Sequence, residues 1–223
     1  MKWHSSTREQ CLKQLGSRRN EGLTQAEASK RLTACGRNEL APPKRKSLAR
    51  RFLSQFSDCM VIILLIAAGI SFALAFLQDN GDMVDSVIIL VIVVINAIIG
   101  MVQESRAEKA IEALKKMSSP KAKVLRAGEE RLIDAALLVP GDIVLREAGD
   151  LVPADLRLLD AHDLQIEESA LTGESAPSHQ DASAVFPEET SIGDQKNMAF
   201  SSCTVAAGNG VGLVTETGMY TQV

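Results

Sequence analysis

Two long runs without charged residues interrupt an otherwise mixed pattern of polar and apolar positions. The first run covers residues 60–77 and the second covers residues 86–102. A helix needs roughly 20 apolar residues to cross the hydrocarbon core of a bilayer, and both runs reach that length with their flanks. Buried helices of soluble proteins usually carry a polar stripe, which neither run has. The pattern therefore predicts a transmembrane helical hairpin over residues 58–102, in preference to two core helices of a soluble protein.

Charged residues around the hairpin predict its orientation. Basic residues precede the first run and follow the second, namely Lys44, Arg45, Lys46, Arg50 and Arg51, then Arg106, Lys109, Lys115 and Lys116. The segment 78–82 between the runs, QDNGD, contains acidic residues and no basic one. Because basic segments stay on the cytosolic side of a membrane, we expect an integral membrane protein with both termini in the cytosol.

Residues 1–57 are predicted to form a cytosolic helical region of their own. Capping-box patterns at Ser6 with Glu9 and at Thr24 with Glu27 precede two short helical stretches. Each stretch ends at a glycine, which is a common helix stop. The region is therefore expected to be helical up to the start of the hairpin.

The pattern changes twice after the second run. Helical spacing of apolar residues continues through residues 103–119, which predicts a cytosolic stalk helix ending before Pro120. Beyond that point short strands alternate with turn residues, and Ala127-Gly128 is the expected turn of a hairpin. Residues 120–223 are thus predicted to form a mostly β cytosolic domain. The predicted fold class is an α+β membrane protein with short cytosolic helices, a two-helix transmembrane hairpin with a stalk, and this β-domain.

Composition argues against several classes of function. The 223 residues include 24 Lys and Arg against 28 Asp and Glu, and basic residues are not interleaved with aromatic ones, so nucleic acid is not an expected partner. The four cysteines are scattered, without the spacing of a disulfide framework. The sequence has no glycine-rich nucleotide loop and no cluster with metal-ligand spacing. We therefore expect no metal and no cofactor bound by this chain.

The candidate site is the acidic turn in DLQIEESALTGESAPSHQ, residues 163–180. It contains Thr172, Gly173, Glu174 and Ser175. A carboxylate held in a glycine-containing turn can position a water molecule and accept its proton. Such a glutamate can also simply cap the turn, and from these four residues alone the structural role is the favoured interpretation.

A longer stretch around this turn resembles the actuator domain of P-type ATPases. The matching motifs occur in the order Pro140-Gly141-Asp142, Gly149-Asp150, Pro153-Ala154-Asp155 and Leu171-Thr172-Gly173-Glu174-Ser175. Other segments add to the resemblance: 22–40 resembles the cation-transporter N-terminal region, 95–117 is similar to the second span and stalk of the calcium-pump branch, and 197–223 resembles the closing strands of the actuator. That branch includes the sarcoplasmic-reticulum-like pumps and their bacterial relatives.

The resemblance implies the N-terminal part of an ATP-driven cation pump, with Ca²⁺ as the transported ion. In that family ATP phosphorylates an aspartate in a separate domain, and the actuator loop then brings a glutamate that directs water onto phosphorus. Carried over to this sequence, Glu174 is that glutamate, while Thr172, Gly173 and Ser175 shape its loop. The implied cofactors are ATP and Mg²⁺ in the complete pump. The implied partners are the phosphorylation domain, the nucleotide-binding domain, the later spans and the lipid bilayer, which in a bacterium is the plasma membrane.

The same resemblance implies what these 223 residues lack. The phosphorylation motif DKTG is absent, and the actuator domain ends before a third span. The isolated chain is therefore expected to be inactive. Two alternatives stay open: a non-catalytic membrane hairpin protein whose β-domain regulates or scaffolds another membrane protein, and a pump of the same family for another cation.

Two local departures from the family pattern were evident. The family follows its glutamate loop with an apolar-Pro-Val sequence and a basic residue. Here Ala176-Pro177 is followed by Ser178, His179 and Gln180, so the basic residue is lost. The family's SGT strand reads here as Ser202-Cys203-Thr204, without the glycine. The first departure is expected to affect docking of the loop, and the second to strain a strand turn.

Overall fold

The computed structural model describes residues 2–41, 47–77, 84–117, 120–174 and 176–222. They fall into two compact units. The unit that we call the terminal unit contains Met1–Ala41 and Ser119–Val223, and the helical unit contains Pro42–Ser118. The helices are α1 (Arg8–Gln14), α2 (Gln25–Cys35), α3 (Leu48–Gln55), α4 (Cys59–Leu77), α5 (Val84–Met117) and α6 (Ser169–Thr172). The strands are β1 (Lys121–Arg126), β2 (Glu129–Asp134), β3 (Ile143–Glu147), β4 (Asp155–Glu167), β5 (Ser178–His179), β6 (Met198–Ala199) and β7 (Thr204–Glu216).

The helical unit contains the apolar helices α4 and α5. Within the described residues, one helix is long and apolar enough to cross a membrane by length and composition, the part of α5 over Val87–Leu114. The apolar stretch Cys59–Leu74 in α4 is shorter. The protein therefore has one candidate span by this measure, and the two-span hairpin stays a prediction. Its expected tip, residues 78–82, lies outside the described residues.

α5 is an unbroken helix of 34 residues. At 1.5 Å per residue it is about 51 Å long, which exceeds the roughly 30 Å hydrocarbon core of a bilayer. The residues predicted as a stalk therefore continue the same helix up to Met117. α3 packs against it where Gly100 leaves room, because a Cβ at Gly100 would lie 2.5 Å from Oε1 of Gln55. Gln55 Nε2 also donates to Glu104 Oε2 at 3.4 Å.

The terminal unit is built on one antiparallel sheet. Its strand order is β2-β1-β3-β7-β4-β5, and β6 pairs with β4. The central strands β4 and β7 have 13 residues each. The core beneath them includes the fully buried Val144, Leu156 and Phe200. Together the units make a mixed helix and sheet protein with a mostly β antiparallel domain, as an actuator domain requires.

The hairpin between β1 and β2 turns where the sequence predicts it. Arg126 pairs with Glu129, so two residues form the turn. Both have left-handed backbone angles, with φ of 53° at Ala127 and 77° at Gly128. This geometry matches the right-handed twist of the flanking strands, and it explains why glycine occurs at the second turn position.

The N-terminal segment belongs to the terminal unit because it adds backbone hydrogen bonds to this hairpin. Ala127 N donates to Leu23 O at 3.0 Å, and Gly128 N donates to Glu21 O at 2.8 Å. Between them Gly22 lies so close that a Cβ there would be 1.9 Å from Leu125 O. The sequence patterns placed residues 1–57 in a region of their own, whereas residues 2–41 pack into the same unit as the strands.

The cap of α1 lies one residue later than the sequence indicated. Thr7 Oγ1 accepts from Gln10 N at 3.3 Å, and the Gln10 side chain accepts from Thr7 N at 3.0 Å. The predicted capping box at Ser6 and Glu9 is therefore wrong. An N-cap residue offers its carbonyl to the first hydrogen bond of the helix. The carbonyl of Ser6 instead accepts from Arg157 Nη2 at 3.2 Å. Of the second predicted capping box only the Thr24 half is present: Thr24 Oγ1 accepts from Glu27 N, while the Glu27 carboxylate pairs with Arg31.

Arg157 on β4 joins three parts of the terminal unit from a fully buried position. Its guanidinium donates to the carbonyl oxygens of Ser6, Leu158, Ala182, Ala184 and Asn197. Burial lowers the pKa of this guanidinium, which therefore depends on these carbonyl contacts in place of water. The N-terminal segment, β4 and the segment after β5 are thereby held around one side chain.

The strained strand turn occurs at Ser202, where φ is 66°. The left-handed region costs an L-residue roughly 1–2 kcal/mol relative to glycine, so Ser202 occupies the position that favours glycine. The left-handed residue thus lies one position before Cys203, where the family pattern has its glycine. Backbone hydrogen bonds on both sides of the turn, to and from Val152, hold it in place. Cys203 is buried instead, and burial raises the pKa of its thiol to about 12.

Candidate functional site

The candidate loop begins where β4 ends and passes through the single turn α6. Gly173 terminates this turn in the left-handed conformation, with φ of 76° and ψ of 0°. Its N–H donates to Ser169 O at 3.0 Å. A Cβ at Gly173 would meet nothing within 4 Å, so the backbone angle is what favours glycine here. The loop is therefore open to an approaching group at this position.

Thr172 fixes the backbone on both sides of Gly173. Its hydroxyl donates to Glu168 O at 3.1 Å and accepts from Glu174 N at 3.2 Å. The Glu174 side chain is exposed. Its carboxylate is thus presented to solvent on a backbone that is held by hydrogen bonds. Ser175, the fourth predicted site residue, lies outside the described residues.

The base of the loop is formed by Glu168, which is 5% exposed. The Ser178 hydroxyl donates to Glu168 Oε2 at 2.7 Å, and the Lys196 ammonium lies 3.5 Å from the same oxygen. The amide of Gln180 adjoins the same hydroxyl at 2.8 Å. Ser178 reaches this position because β5 pairs with the end of β4, where Ile166 is its partner.

A second turn supports the loop from the side. The 3-10 turn Ile192–Asp194 brings Gly193 against the methyl group of Thr172. A Cβ at Gly193 would lie 2.9 Å from Thr172 Cγ2, which is too close for an undistorted contact. A side chain at position 193 would therefore displace Thr172.

The loop does not line the cavity that the terminal unit contains. That cavity, of about 370 Å³, lies between the N-terminal turn with Trp3 and the strands, and Asp155, Glu188 and Glu216 contribute to its wall. Burial is the main cause that raises the pKa of Asp155. Among the described residues no group of three or more His, Cys, Asp or Glu could hold a metal ion. Glu174 thus lies outside this cavity, on an exposed loop.

Two family models match the chain. The P-type ATPase actuator domain matches residues 116–223, and the cation transporter/ATPase N-terminus matches residues 3–71. The chain belongs to the P-type ATPase family.

The P-type ATPase relatives include cation pumps of bacteria and yeast. The chain is 48% identical to Calcium-transporting ATPase 1 of Bacillus cereus, over 99% of this chain and 25% of that protein. It is 44% identical to Calcium-transporting ATPase of Bacillus subtilis, over 99% of this chain and 24% of that protein. Sodium/potassium exporting P-type ATPase 2 of Saccharomyces cerevisiae is 39% identical, over 99% of this chain and 20% of that protein. The chain spans about a quarter or less of the length of these relatives.

The residues near the loop that depart from the P-type ATPase pattern form hydrogen bonds within the terminal unit. Ser178 and Gln180, which replace the apolar and basic residues of the family pattern, contact each other and adjoin Glu168. His179 between them is exposed. The effect that these departures were expected to have on docking stays a prediction.

Three residues that support this P-type ATPase loop were not predicted from the sequence, namely Glu168, Lys196 and Gly193. A signal for Glu168 was present, because alternate residues of a strand share a face. Leu164 and Ile166 are buried, and Glu168 continues that alternation. Lys196 and Gly193 had no such signal, since they come from a polar segment whose path is irregular.

Proposed function

We propose that this chain is the N-terminal part of an ATP-driven cation pump and that its loop drives hydrolysis of the aspartyl phosphate formed in another domain. The observation that carries the proposal is the exposed Glu174 carboxylate on a backbone held by Thr172 and Gly173. A carboxylate at this position accepts a proton from water as the water oxygen bonds to phosphorus. The bond between phosphorus and the aspartate oxygen then breaks, which releases phosphate and the free aspartate carboxylate.

The left-handed Gly173 has a specific part in this proposal. A Cβ at this position would meet nothing within 4 Å, so the side of the loop where a side chain would stand is open to a phosphoryl group. Thr172 holds the N–H of Glu174, so the carboxylate needs little reorganisation when the partner domain arrives. Preorganised groups of this kind contribute more to a reaction rate than mobile ones. Ser175 is included in the proposed loop on the family resemblance alone.

ATP and Mg²⁺ belong to the complete pump in this proposal. ATP supplies the phosphoryl group, and Mg²⁺ reduces the repulsion between that group and an approaching carboxylate. The described residues contain no group of side chains that fits a metal ion, so neither ligand has a proposed site in this chain. The role of this chain in the proposed reaction is to orient Glu174.

The proposed transported ion is Ca²⁺, because relatives that are 44–48% identical over 99% of the chain carry the name calcium-transporting ATPase. We expect the complete protein to form an acid-stable phosphoenzyme from radiolabelled ATP when Ca²⁺ is present, and to lose it when Ca²⁺ is chelated. Na⁺ and K⁺ without Ca²⁺ serve as the ion controls. Labelling that follows Na⁺ or K⁺ would reassign the ion within the family. A complete protein that forms no phosphoenzyme under any of these conditions would contradict the pump and favour a scaffolding membrane protein.

The proposed membrane arrangement is a hairpin of α4 and α5 with both termini in the cytosol, in the plasma membrane if the source is a bacterium. α4 has 19 residues, none of them charged, and packs against α5; Ala68 of α4 and Ala97 of α5 are buried. Basic flanks and an acidic connection support the orientation.

A labelling experiment tests this topology. In a chain whose own cysteines are replaced, a single cysteine at residue 80 is expected to react with a membrane-impermeant maleimide added to sealed cells. Cysteines at residues 20 and 200 are expected to react only after the membrane is made permeable. Labelling at residue 200 in sealed cells would exclude the proposed orientation.

A further inference from the structure

Both ends of the loop meet at Glu168. Its backbone carbonyl accepts from the Thr172 hydroxyl at 3.1 Å and from the N–H groups of Leu171 and Thr172 at 2.9 Å. Its side chain accepts from the hydroxyl of Ser178, which begins the strand after the loop, at 2.7 Å. One residue thus holds the turn before Glu174 through its backbone and the returning strand through its carboxylate.

The burial of Glu168 makes its partners important. A carboxylate that leaves water loses several kcal/mol of solvation unless hydrogen bonds and an opposite charge compensate for it. Ser178 supplies a hydrogen bond, and Lys196 supplies the charge at 3.5 Å. The backbone of Lys196 is itself held, since its carbonyl accepts from Asp181 N at 2.7 Å. The segment that carries Lys196 also carries Gly193, which contacts Thr172.

We infer that Glu168, together with Ser178 and Lys196, is a positioning group that sets where the loop presents Glu174. This inference rests on the proposed function of Glu174. Glu168 lies beneath the loop with its carboxylate occupied by internal partners, so it acts on the reaction only through the loop. The polar residues at 178 and 180, which distinguish this chain from the family pattern, make this arrangement possible because they supply a donor for the buried carboxylate.

The test compares phosphoenzyme formation with phosphoenzyme decay in the complete protein. Glu168→Gln keeps the shape of the side chain and removes the charge that pairs with Lys196. A loop that shifts by about 1 Å loses up to roughly 100-fold in rate, so we expect decay to slow 10- to 100-fold. Formation from ATP is expected to stay within about twofold, since that step occurs in another domain. A generally destabilised protein would lose both steps together.

Further variants separate positioning from folding. Lys196→Met is expected to slow phosphoenzyme decay by a similar factor, whereas Lys196→Arg, which keeps the charge, is expected to retain the original decay rate. The double variant Glu168→Gln with Lys196→Met is expected to decay no more slowly than either single variant. Ser178→Ala is a milder variant if the charge changes prevent folding. The exposed ion pair between Lys123 and Glu147, 3.0 Å apart in the same unit, supplies matched controls. Glu147→Gln and Lys123→Met are expected to leave both steps unchanged.

A second readout is independent of the reaction. In the 223-residue chain in detergent micelles, hydrogen exchange at the amides of residues 171–174 is expected to become at least tenfold faster in Glu168→Gln and to stay unchanged in Glu147→Gln. Unchanged exchange in Glu168→Gln would overturn the inference.

Glu174→Gln is measured alongside to separate two kinds of failure. Slow decay in Glu174→Gln, with decay at the original rate in the Glu168 and Lys196 variants, would overturn the positioning role and leave the proposed function standing. Unchanged decay in Glu174→Gln would remove the proposed function itself, and with it the positioning role in catalysis.

Discussion

Replacement of Glu174 by Gln is expected to trap the complete protein in its phosphorylated form. Gln keeps the size of the side chain and the backbone hydrogen bond from Glu174 N to Thr172, but it cannot accept a proton from water. Loss of a general base typically costs 10²–10⁴-fold, so we expect phosphoenzyme decay to slow by about that factor. Phosphorylation by ATP is expected to continue, so phosphoenzyme accumulates and turnover stops. The measurement is the decay of radiolabelled phosphoenzyme after a chase with unlabelled ATP.

Glu167→Gln is the matched control for this experiment. Glu167 is an exposed glutamate at the end of β4, seven positions before Glu174, and the same substitution there is expected to leave the decay unchanged. Equal decay rates in Glu174→Gln and the unmodified protein, with hydrolysis shown to be the slow step, would leave Glu174 as a turn residue. In that case the change is expected to cost only about 1 kcal/mol of stability.

The largest expected loss of stability in the terminal unit follows from Asp142→Asn. Asp142 is fully buried and accepts from Arg126 Nε at 2.8 Å and from Arg126 Nη2 at 2.6 Å. It also accepts from Val139 N at 3.0 Å. Removal of one charge leaves the other buried without a counter-charge, which costs about 3–5 kcal/mol in the free energy of unfolding. Denaturant unfolding in micelles measures this through Trp3, the single tryptophan, which packs against the core of this unit.

Two further variants show whether the charge is the cause. Glu147→Gln breaks an exposed ion pair and is expected to cost less than about 1 kcal/mol. The double change Arg126→Met with Asp142→Leu removes both buried charges and is expected to recover most of the loss, since an apolar pair of similar volume needs no counter-charge. A double variant as unstable as Asp142→Asn would show that packing, and not the unpaired charge, accounts for the effect.

The regular elements follow closely from the sequence pattern, while the contacts between them do not. Periodicity and turn chemistry predicted the helical residues that continue to Met117, the hairpin turn at Ala127-Gly128 and the cap at Thr24. The cap of α1 was missed by one residue because the carbonyl of Ser6 is used by Arg157, a contact across 151 positions. Local sequence patterns contain no information on such a distant partner. They therefore predicted Ser6 as the N-cap, whereas the N-cap is the adjacent Thr7.

At the candidate site, too, local features were predicted from the sequence, whereas contacts between distant residues were not. Glycine beside a carboxylate drew attention to Glu174, but its catalytic role was predicted only from the family resemblance. The structure exposes Glu174 on a loop with a left-handed Gly173. Its support comes from Glu168, Gly193 and Lys196, which are 6, 19 and 22 positions away in sequence. Their role depends on how an irregular segment folds back against β4. Charge and hydropathy describe that segment only as polar, so its contacts required the structure.

The terminal unit also sets a requirement on biosynthesis, because its two parts leave the ribosome far apart in time. Trp3 contacts Glu216 across 213 positions, and Gly22 lies against β1, which follows α4 and α5 in the chain. At about 5–20 residues per second, the roughly 180 residues after Ala41 take on the order of 10–40 s to synthesise. Until the strands have been made, the nascent N-terminal segment has no sheet to pack against, and apolar side chains such as Cys11 and Leu23, buried in the finished fold, stay accessible. The N-terminal segment is therefore open to chaperones, and to aggregation with other nascent chains, until the strands follow.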